Sequence, residues 1–464
     1  MKKVFVFCIG GTGLRVMKSI TMLMAAGMDT HGYMIVPIII DPHLDLNEKK
    51  NLQSLIESYI EIRKSTEEEG SYSNHFFGSE MEWISKLEDQ NNDTNKNASE
   101  DRSFAEFLNV GSLGSTSINN LLIKTLYSTE SLNNKLSVGF RGNPNVGTVV
   151  LQQMLDGASW YNVLKSQCGQ DDRVFIISSI FGGTGASGYP LIERKIRNAI
   201  DSQTLQDVFM GAVTVLPYYG LTDPKKNNSK IDSGNFMTKA KAALAYYENT
   251  VKSDMLYYVG EKELQVYHEN NEQTQPDDAN FIELVAATAL FHFLSQDAKP
   301  KEHKFLTRAI ANDVPQLDLP SAGTDYAPIA KCIADFEIFK SLLEILRNEK
   351  YFTLKKAKGF NEEFYDGSMQ KIKDFANSFD AWYQQLSSTK RAFAPVAKIN
   401  AADMANIIRN DTELEAKNDS YYLLEMIKQS RRMKKSTNNK IRCFLDCTYN
   451  AIDHFTNRIN KVTE

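Results

Sequence analysis

Strands that end in glycine-rich or acidic loops and alternate with helical stretches predict an α/β protein, built on a doubly wound, mostly parallel sheet with a mainly helical C-terminal region. Three observations carry this. Residues 3–8 (KVFVFC) are β-branched and aromatic and run into Gly10-Gly11-Thr12-Gly13, after which residues 14–26 have helical periodicity. Residues 173–180 (RVFIISSI) repeat the arrangement, ending in Phe181-Gly182-Gly183-Thr184-Gly185-Ala186-Ser187-Gly188 before a helical stretch near Tyr189. From about Asp325 the character changes. Apolar residues then recur at three and four spacing through 329–346, 369–386 and 421–459, with charged faces between them.

The remaining elements follow in order. Residues 33–40 (YMIVPIII) form a near-continuous apolar run ending in Asp41, as expected of a strand buried on both faces of a parallel sheet, while Pro37 argues against a central place for it. Residues 208–216 and 255–259 complete five strands. Residues 86–102 (KLEDQNNDTNKNASEDR) lack periodicity and read as a polar surface loop. There is no repeat of fixed period. The expected organisation is a nucleotide-binding domain over 1–295, with an insertion at about 46–135, followed by a helical domain over 296–464.

Length and composition bound the class. A chain of 464 residues exceeds what one core usually supports, and 42% hydrophobic with 24% charged residues is ordinary for a globular protein. A formal net charge of -5 argues against a generally nucleic-acid-binding surface, so direct contact with DNA is not expected. The seven basic residues within 428–442 read as a solvated helix end, with an acidic partner, lipid or DNA as the alternative. Five scattered cysteines, an odd number, fit reduced thiols and a cytoplasmic location. Cys443 and Cys447, four apart on a helix, lack a second ligand pair at metal spacing and read as buried thiols. No apolar run approaches the roughly 18 residues that would cross a bilayer. Residues 4–9, broken by glycines and Arg15, read as a strand and not as a signal peptide.

The chemistry concentrates in the glycine loops. Gly11-x-Gly13 followed by Val16 fails the dinucleotide fingerprint, and Lys18-Ser19 lacks the glycine that a P-loop places before its lysine. Phosphates need several backbone N–H groups converging on them, which glycine permits and a following helix N-terminus reinforces. One such loop is an ordinary strand-to-helix turn. Two, each after a strand, suggest a polyphosphate clamped from both sides.

The stretch 181–188 (FGGTGASG) resembles the GGGTG(S/T)G signature of tubulins and FtsZ, with Phe181 in place of the first glycine. Residues 139–147 (GFRGNPNVG) are similar to the FtsZ loop that reads GAGGNPEVG, and residues 213–218 (VTVLPY) to the strand end that reaches the ribose. Residues 3–13 resemble the family's first strand and loop, with Cys8 at its first glycine, and Asp41 stands where the family has an acidic loop. Five elements in family order cover roughly residues 1–295.

The resemblance implies GTP or GDP with Mg²⁺, held by Gly10, Gly11, Thr12, Gly13, Asp41, Gly142, Asn143, Gly182, Gly183, Thr184, Gly185, Ala186, Ser187 and Pro217. Glu261, Asn280 and Phe281 would meet the base, Phe281 by stacking, although a helix cap and a core aromatic are the plainer readings of the last two. It implies a GTPase that self-associates into filaments or oligomers, each subunit presenting an acidic residue to the nucleotide of the next. Residues 312–325 (NDVPQLDLPSAGTD) occupy that catalytic position without the family's NxDxxD pattern, leaving Asp318 as the best candidate beside Asp313 and Asp325.

Two alternatives stand beside this reading. One is a weakly hydrolysing or non-hydrolysing interaction protein, for example in phage defence or partitioning, binding a protein partner through its C-terminal helices. The other is a dinucleotide-dependent oxidoreductase, disfavoured by the missing third glycine.

Overall fold

The fold was analysed in a computed structural model, which describes residues 1–42, 47–66, 75–83, 102–136, 139–140, 142–156, 159–221, 236–261, 265–267, 279–309, 316–317, 323–346, 360, 363–388, 392–393 and 439–456. The strands are β1 (Lys2–Ile9), β2 (Tyr33–Ile40), β3 (Arg173–Ser179), β4 (Phe209–Val215), β5 (Tyr219–Leu221), β6 (Met255–Gly260), β7 (Gln265–Tyr267), β8 (Lys304–Ala309), β9 (Gln316–Leu317) and β10 (Ala392–Phe393). The N-terminal helices are α1 (Gly10–Ala25), α2 (Asn47–Ser65), α3 (Phe104–Phe107), α4 (Ile118–Leu126), α5 (Thr129–Asn133), α6 (Pro144–Asp156) and α7 (Ser159–Gln167). After them come α8 (Gly183–Arg197), α9 (Gln203–Asp207), α10 (Phe236–Thr250), α11 (Phe281–Leu294), α12 (Gly323–Leu346), α13 (Gln370–Ser388) and α14 (Lys440–Thr456).

Six strands form one all-parallel sheet in the order β2-β1-β3-β4-β6-β8, and the described C-terminal region is mostly helical, as the sequence predicts. β1 shows why the apolar run is continuous. Val4, Val6 and Cys8 enter the core that contains α1 and α11, while Phe5, Phe7 and Ile9 enter the core of α6, α7 and α8, so both strand faces are dry. β2 lies at the edge, where Pro37 removes no ladder donor that another strand needs. Its outer side is partly covered by residues 80–82, Ile35 exchanging backbone hydrogen bonds with Glu80 and Glu82.

The sixth strand escapes the sequence reading. β8 is an edge strand in which Phe305 is 64% exposed, so it carries neither the continuous apolar run of a buried strand nor a turn signature. α12, α13 and α14 add their apolar faces to the α1/α11 core, where Phe336, Phe375 and Phe379 cluster with Phe76 and Phe77.

One surface expectation changes. Arg442, read as part of a solvated basic run, is buried. Its guanidinium bonds Asp446 and the Phe76 carbonyl, and this ties the C-terminal helix to the segment after α2. The rest of that run up to residue 438, and residues 86–101 of the polar loop, lie outside the described residues. Cys443 and Cys447 are both buried with their sulfurs 4.0 Å apart, and no group of three metal-binding side chains occurs among the described residues. Among those residues no helix is long and apolar enough to cross a membrane.

Arg173 locks the sheet to its central helix. From the start of β3 its guanidinium donates to the carbonyls of Phe293 (2.7 Å), Leu294 (3.2 Å) and Gln296, the unsatisfied C-terminal end of α11, and packs over the rings of Tyr33, Phe209 and Phe293. Replacing Arg173 with Met removes these charge-assisted bonds and is expected to cost about 2–4 kcal/mol, read as a lower denaturant midpoint at unchanged slope.

Candidate functional site

The strand order fixes where a ligand can lie. From β1 the chain moves outward to β2, then returns across β1 to β3, so the carboxyl ends of β1 and β3 flank the point at which the connections reverse. The loops that leave these two ends are 10–13 and 182–185.

Each opens a helix, α1 and α8, and neither helix has a side chain capping its N-terminus or an acidic residue in its first turn. Their first-turn N–H groups therefore have no intrahelical or capping partner and carry the positive end of the helix dipole. Elsewhere the chain caps its helices with Ser103, Ser117, Ser128, Ser202 and Asn280. The two that open on the glycine loops are the exceptions among these.

The glycines are placed by close approach. Gly10 adopts φ +68°, and a Cβ there would lie 3.3 Å from the Thr184 side chain and 3.5 Å from the Gly185 nitrogen, which puts the first and second loops in contact. A Cβ on Gly183 would sit 2.8 Å from Phe140 Cβ and 3.1 Å from the Asn143 nitrogen, so the loop around Gly142 and Asn143 packs directly on the second. Three segments far apart in sequence thus meet at one point.

Several predicted side chains are engaged there. The Asn143 carboxamide accepts from the N–H groups of Asn145 and Val146 at the start of α6 and donates to Ser131 Oγ at 3.0 Å. The Ser187 hydroxyl donates to the Gly183 carbonyl at 2.7 Å. Phe181, in place of a glycine, is buried against Tyr218, Tyr219 and Phe236, anchoring the loop from below. Lys239 on α10, not singled out by sequence, donates to the Gly142 carbonyl at 2.7 Å and brings a positive charge to this end of the site.

At the other end a buried polar network closes the space between α1 and α11. Arg15 donates to Glu283 (2.6 Å), Glu48 (3.3 Å), Tyr218 Oη (3.2 Å) and Thr12 Oγ1 (3.5 Å), and the Tyr218 hydroxyl donates to Glu283. Burial alone would lower the pKa of Arg15. Tyr218, Glu48 and Glu283 outweigh it and hold the guanidinium well above its usual value, while burial pushes the Tyr218 phenol well up. The guanidinium stays charged and the phenol neutral.

Glu283 also accepts from the Asn280 N–H at 3.1 Å, completing a capping box in which Asn280 Oδ1 accepts from Ile282. That pattern, Asn-x-x-Glu before an apolar run, was present in the sequence. Arg15 and Glu48 carried no local signal, and Tyr218 only as the end of the 213–218 stretch.

The remaining predicted site residues divide. Asp41, Pro217 and Glu261 follow the carboxyl ends of β2, β4 and β6, on the same sheet edge as the glycine loops. Asn280 serves as the cap of α11. Phe281 is buried with its ring stacked on Phe393, centroids 5.2 Å apart, in place of an open platform for a base. Asp318 and Asp313 lie outside the described residues, and Asp325 falls in the first turn of α12, where side chains are not described.

Comparison with protein-family models, curated proteins and solved structures finds no match to this chain. The parallel α/β fold, with its reversal point and converging loops, is what supports a functional reading.

Glu283→Ala would leave the Arg15 guanidinium buried with half its carboxylate partners and remove one arm of the capping box. The expected cost is about 3–5 kcal/mol, measured by chemical denaturation.

Proposed function

We propose that the chain binds a nucleoside triphosphate at the carboxyl edge of its sheet, with the phosphates across the glycine loops. The reading rests on one observation. Two helix N-termini, uncapped and free of acidic residues, meet at the reversal point with their glycine loops in contact. The backbone N–H groups of 11–13 and 183–185 are the donors for a polyphosphate, and Lys239 adds charge beside Gly142. These donors fit a phosphate group, and neither first turn contains an acidic residue that would repel it. Mg²⁺ would be carried chiefly by phosphate oxygens and water, with Asp41 at the end of β2 as the chain's own acidic contribution, and would balance charge on the phosphates.

Guanine as the base, hydrolysis and self-association come from the resemblance to tubulins and FtsZ, and we take a tubulin-like GTPase as the working identity. Pre-organised backbone dipoles would stabilise charge developing on the transferred phosphoryl group. Mass spectrometry of nucleotide released from the purified chain checks the binding step: guanine nucleotide at near-stoichiometric occupancy is expected. Gly185→Val, whose Cβ would lie 2.6 Å from the Ser179 carbonyl oxygen, is expected to abolish it. A nicotinamide dinucleotide, or none at all, would overturn the reading.

A specific feature favours self-association. α4 exposes Ile118 (82%), Leu121 (56%), Leu122 (53%) and Leu126 (62%), spaced three and four apart along one stripe, with Lys124 its single charged residue. The adjoining α5 carries Ser131, the hydroxyl that holds Asn143, so this stripe is connected to the phosphate loops. Leu121→Asp combined with Leu122→Asp is expected to leave nucleotide binding intact and suppress GTP-dependent light scattering. Undiminished scattering would remove α4 from the interface. Nucleotide retained without scattering or phosphate release in the unaltered chain would instead support the non-hydrolysing interaction protein.

A further inference from the structure

A cleft of about 380 Å³ opens between α1, α2 and α13, beside the first glycine loop. Its size falls in the range of small-molecule sites. Arg15 and Glu48 form its near end, and both lie within 3.4–3.6 Å of where a Cβ on Gly11 would be, so the cleft begins where the phosphate loop ends. Its walls are mainly apolar, from Leu52, Leu55 and Phe375, with polar Asn51, Ser58 and Gln385 among them, and beyond Arg15 and Glu48 two further charged groups reach it from different helices. Lys18 on α1 has no ion-pair or hydrogen-bond partner among the described residues, and Asp374 on α13 accepts only a neutral hydrogen bond from Gln370.

Resting on the nucleotide reading above, we propose that this cleft receives the base and sugar of the bound nucleotide, with Asp374 and Lys18 reading a guanine edge. The alternative slot at the N-terminus of α11 is filled: Arg15, Glu283 and Tyr218 bond one another there, and Phe281 is stacked on Phe393. The chemistry matches guanine. A carboxylate accepts from the N1–H and exocyclic amine of guanine, and an ammonium donates to O6, whereas adenine offers an unprotonated N1 and an amine at those two positions. The apolar walls cover the faces of the base. A C-terminal helix thereby becomes part of the nucleotide site, so base binding is coupled to how α13 sits on α1 and α2.

The test uses the full chain stripped of nucleotide, titrated with tripolyphosphate, GTP and ATP by calorimetry. The unaltered protein is expected to bind GTP at least about tenfold more tightly than tripolyphosphate or ATP. Ser58→Trp, which fills the cleft from α2, is expected to reduce GTP affinity to that of tripolyphosphate while leaving tripolyphosphate unchanged. Asp374→Asn, at an exposed position, is expected to remove the preference for GTP over ATP and stands as the test if the tryptophan variant does not fold. Unchanged GTP affinity and selectivity in these variants would overturn the cleft assignment alone. Failure of the unaltered chain to bind either GTP or tripolyphosphate would overturn the phosphate reading and this one with it.

Discussion

Everything in this structure is arranged around strand β1. It is buried on both faces and paired on both edges, to β2 on one side and β3 on the other. A strand so placed has no freedom of register, because a one-residue slip would exchange Val4, Val6 and Cys8 with Phe5, Phe7 and Ile9 between two cores of different shape. Its carboxyl end is therefore a fixed point, and the chain must leave it without a bulky side chain. A Cβ at Gly13 would lie 2.7 Å from the Cys8 carbonyl carbon and 3.1 Å from the Ile177 carbonyl oxygen, so α1 approaches the ends of β1 and β3 more closely than any other residue would allow.

The same constraint accounts for the glycines in two ways that need not compete. Close packing explains Gly13, Gly185 and Gly188 without any ligand, since each faces strand backbone or the Ile9 side chain at distances no Cβ could tolerate. It does not explain why α1 and α8 begin without caps when the chain has serine or asparagine caps to spare elsewhere. Packing brings the loops together, and the absent caps leave their donors open. The second property is the one that bears on function.

How much of this was legible follows from the range over which each feature is encoded. The buried strands and the glycine loops are local: continuous apolar runs mark β1, β2 and β3, and Pro37 marks the edge position of β2. Five of the six strands of the parallel sheet therefore follow from patterns within single segments. β8 was not legible because an exposed edge strand of six residues has no buried face to create a pattern. Arg15, Glu48, Tyr218 and Glu283 span 268 residues between the first and last of them, and no spacing rule joins them. The resemblance assigned Asn280 and Phe281 to a base because they sit at the right place in chain order. The fold gives that place to a capping box and an aromatic stack, which chain order does not specify.

The buried network also sets the electrostatics of the site. Glu48 and Glu283 share one guanidinium, and the Tyr218 phenol stays neutral, so the cluster beside Gly11 carries an excess of negative charge. Lys239 lies at the opposite end, by Gly142. A polyphosphate laid across the loops would thus meet a favourable field at its Gly142 and Gly183 end and an unfavourable one as it nears Gly11. Two consequences would follow for the proposed ligand: its most highly charged phosphate would lie at the Lys239 end, and a cation would have to accompany it toward Gly11. A magnesium nucleotide would satisfy both, with its less charged nucleoside half leaving past Arg15 and Glu48, which is the direction in which the cleft opens.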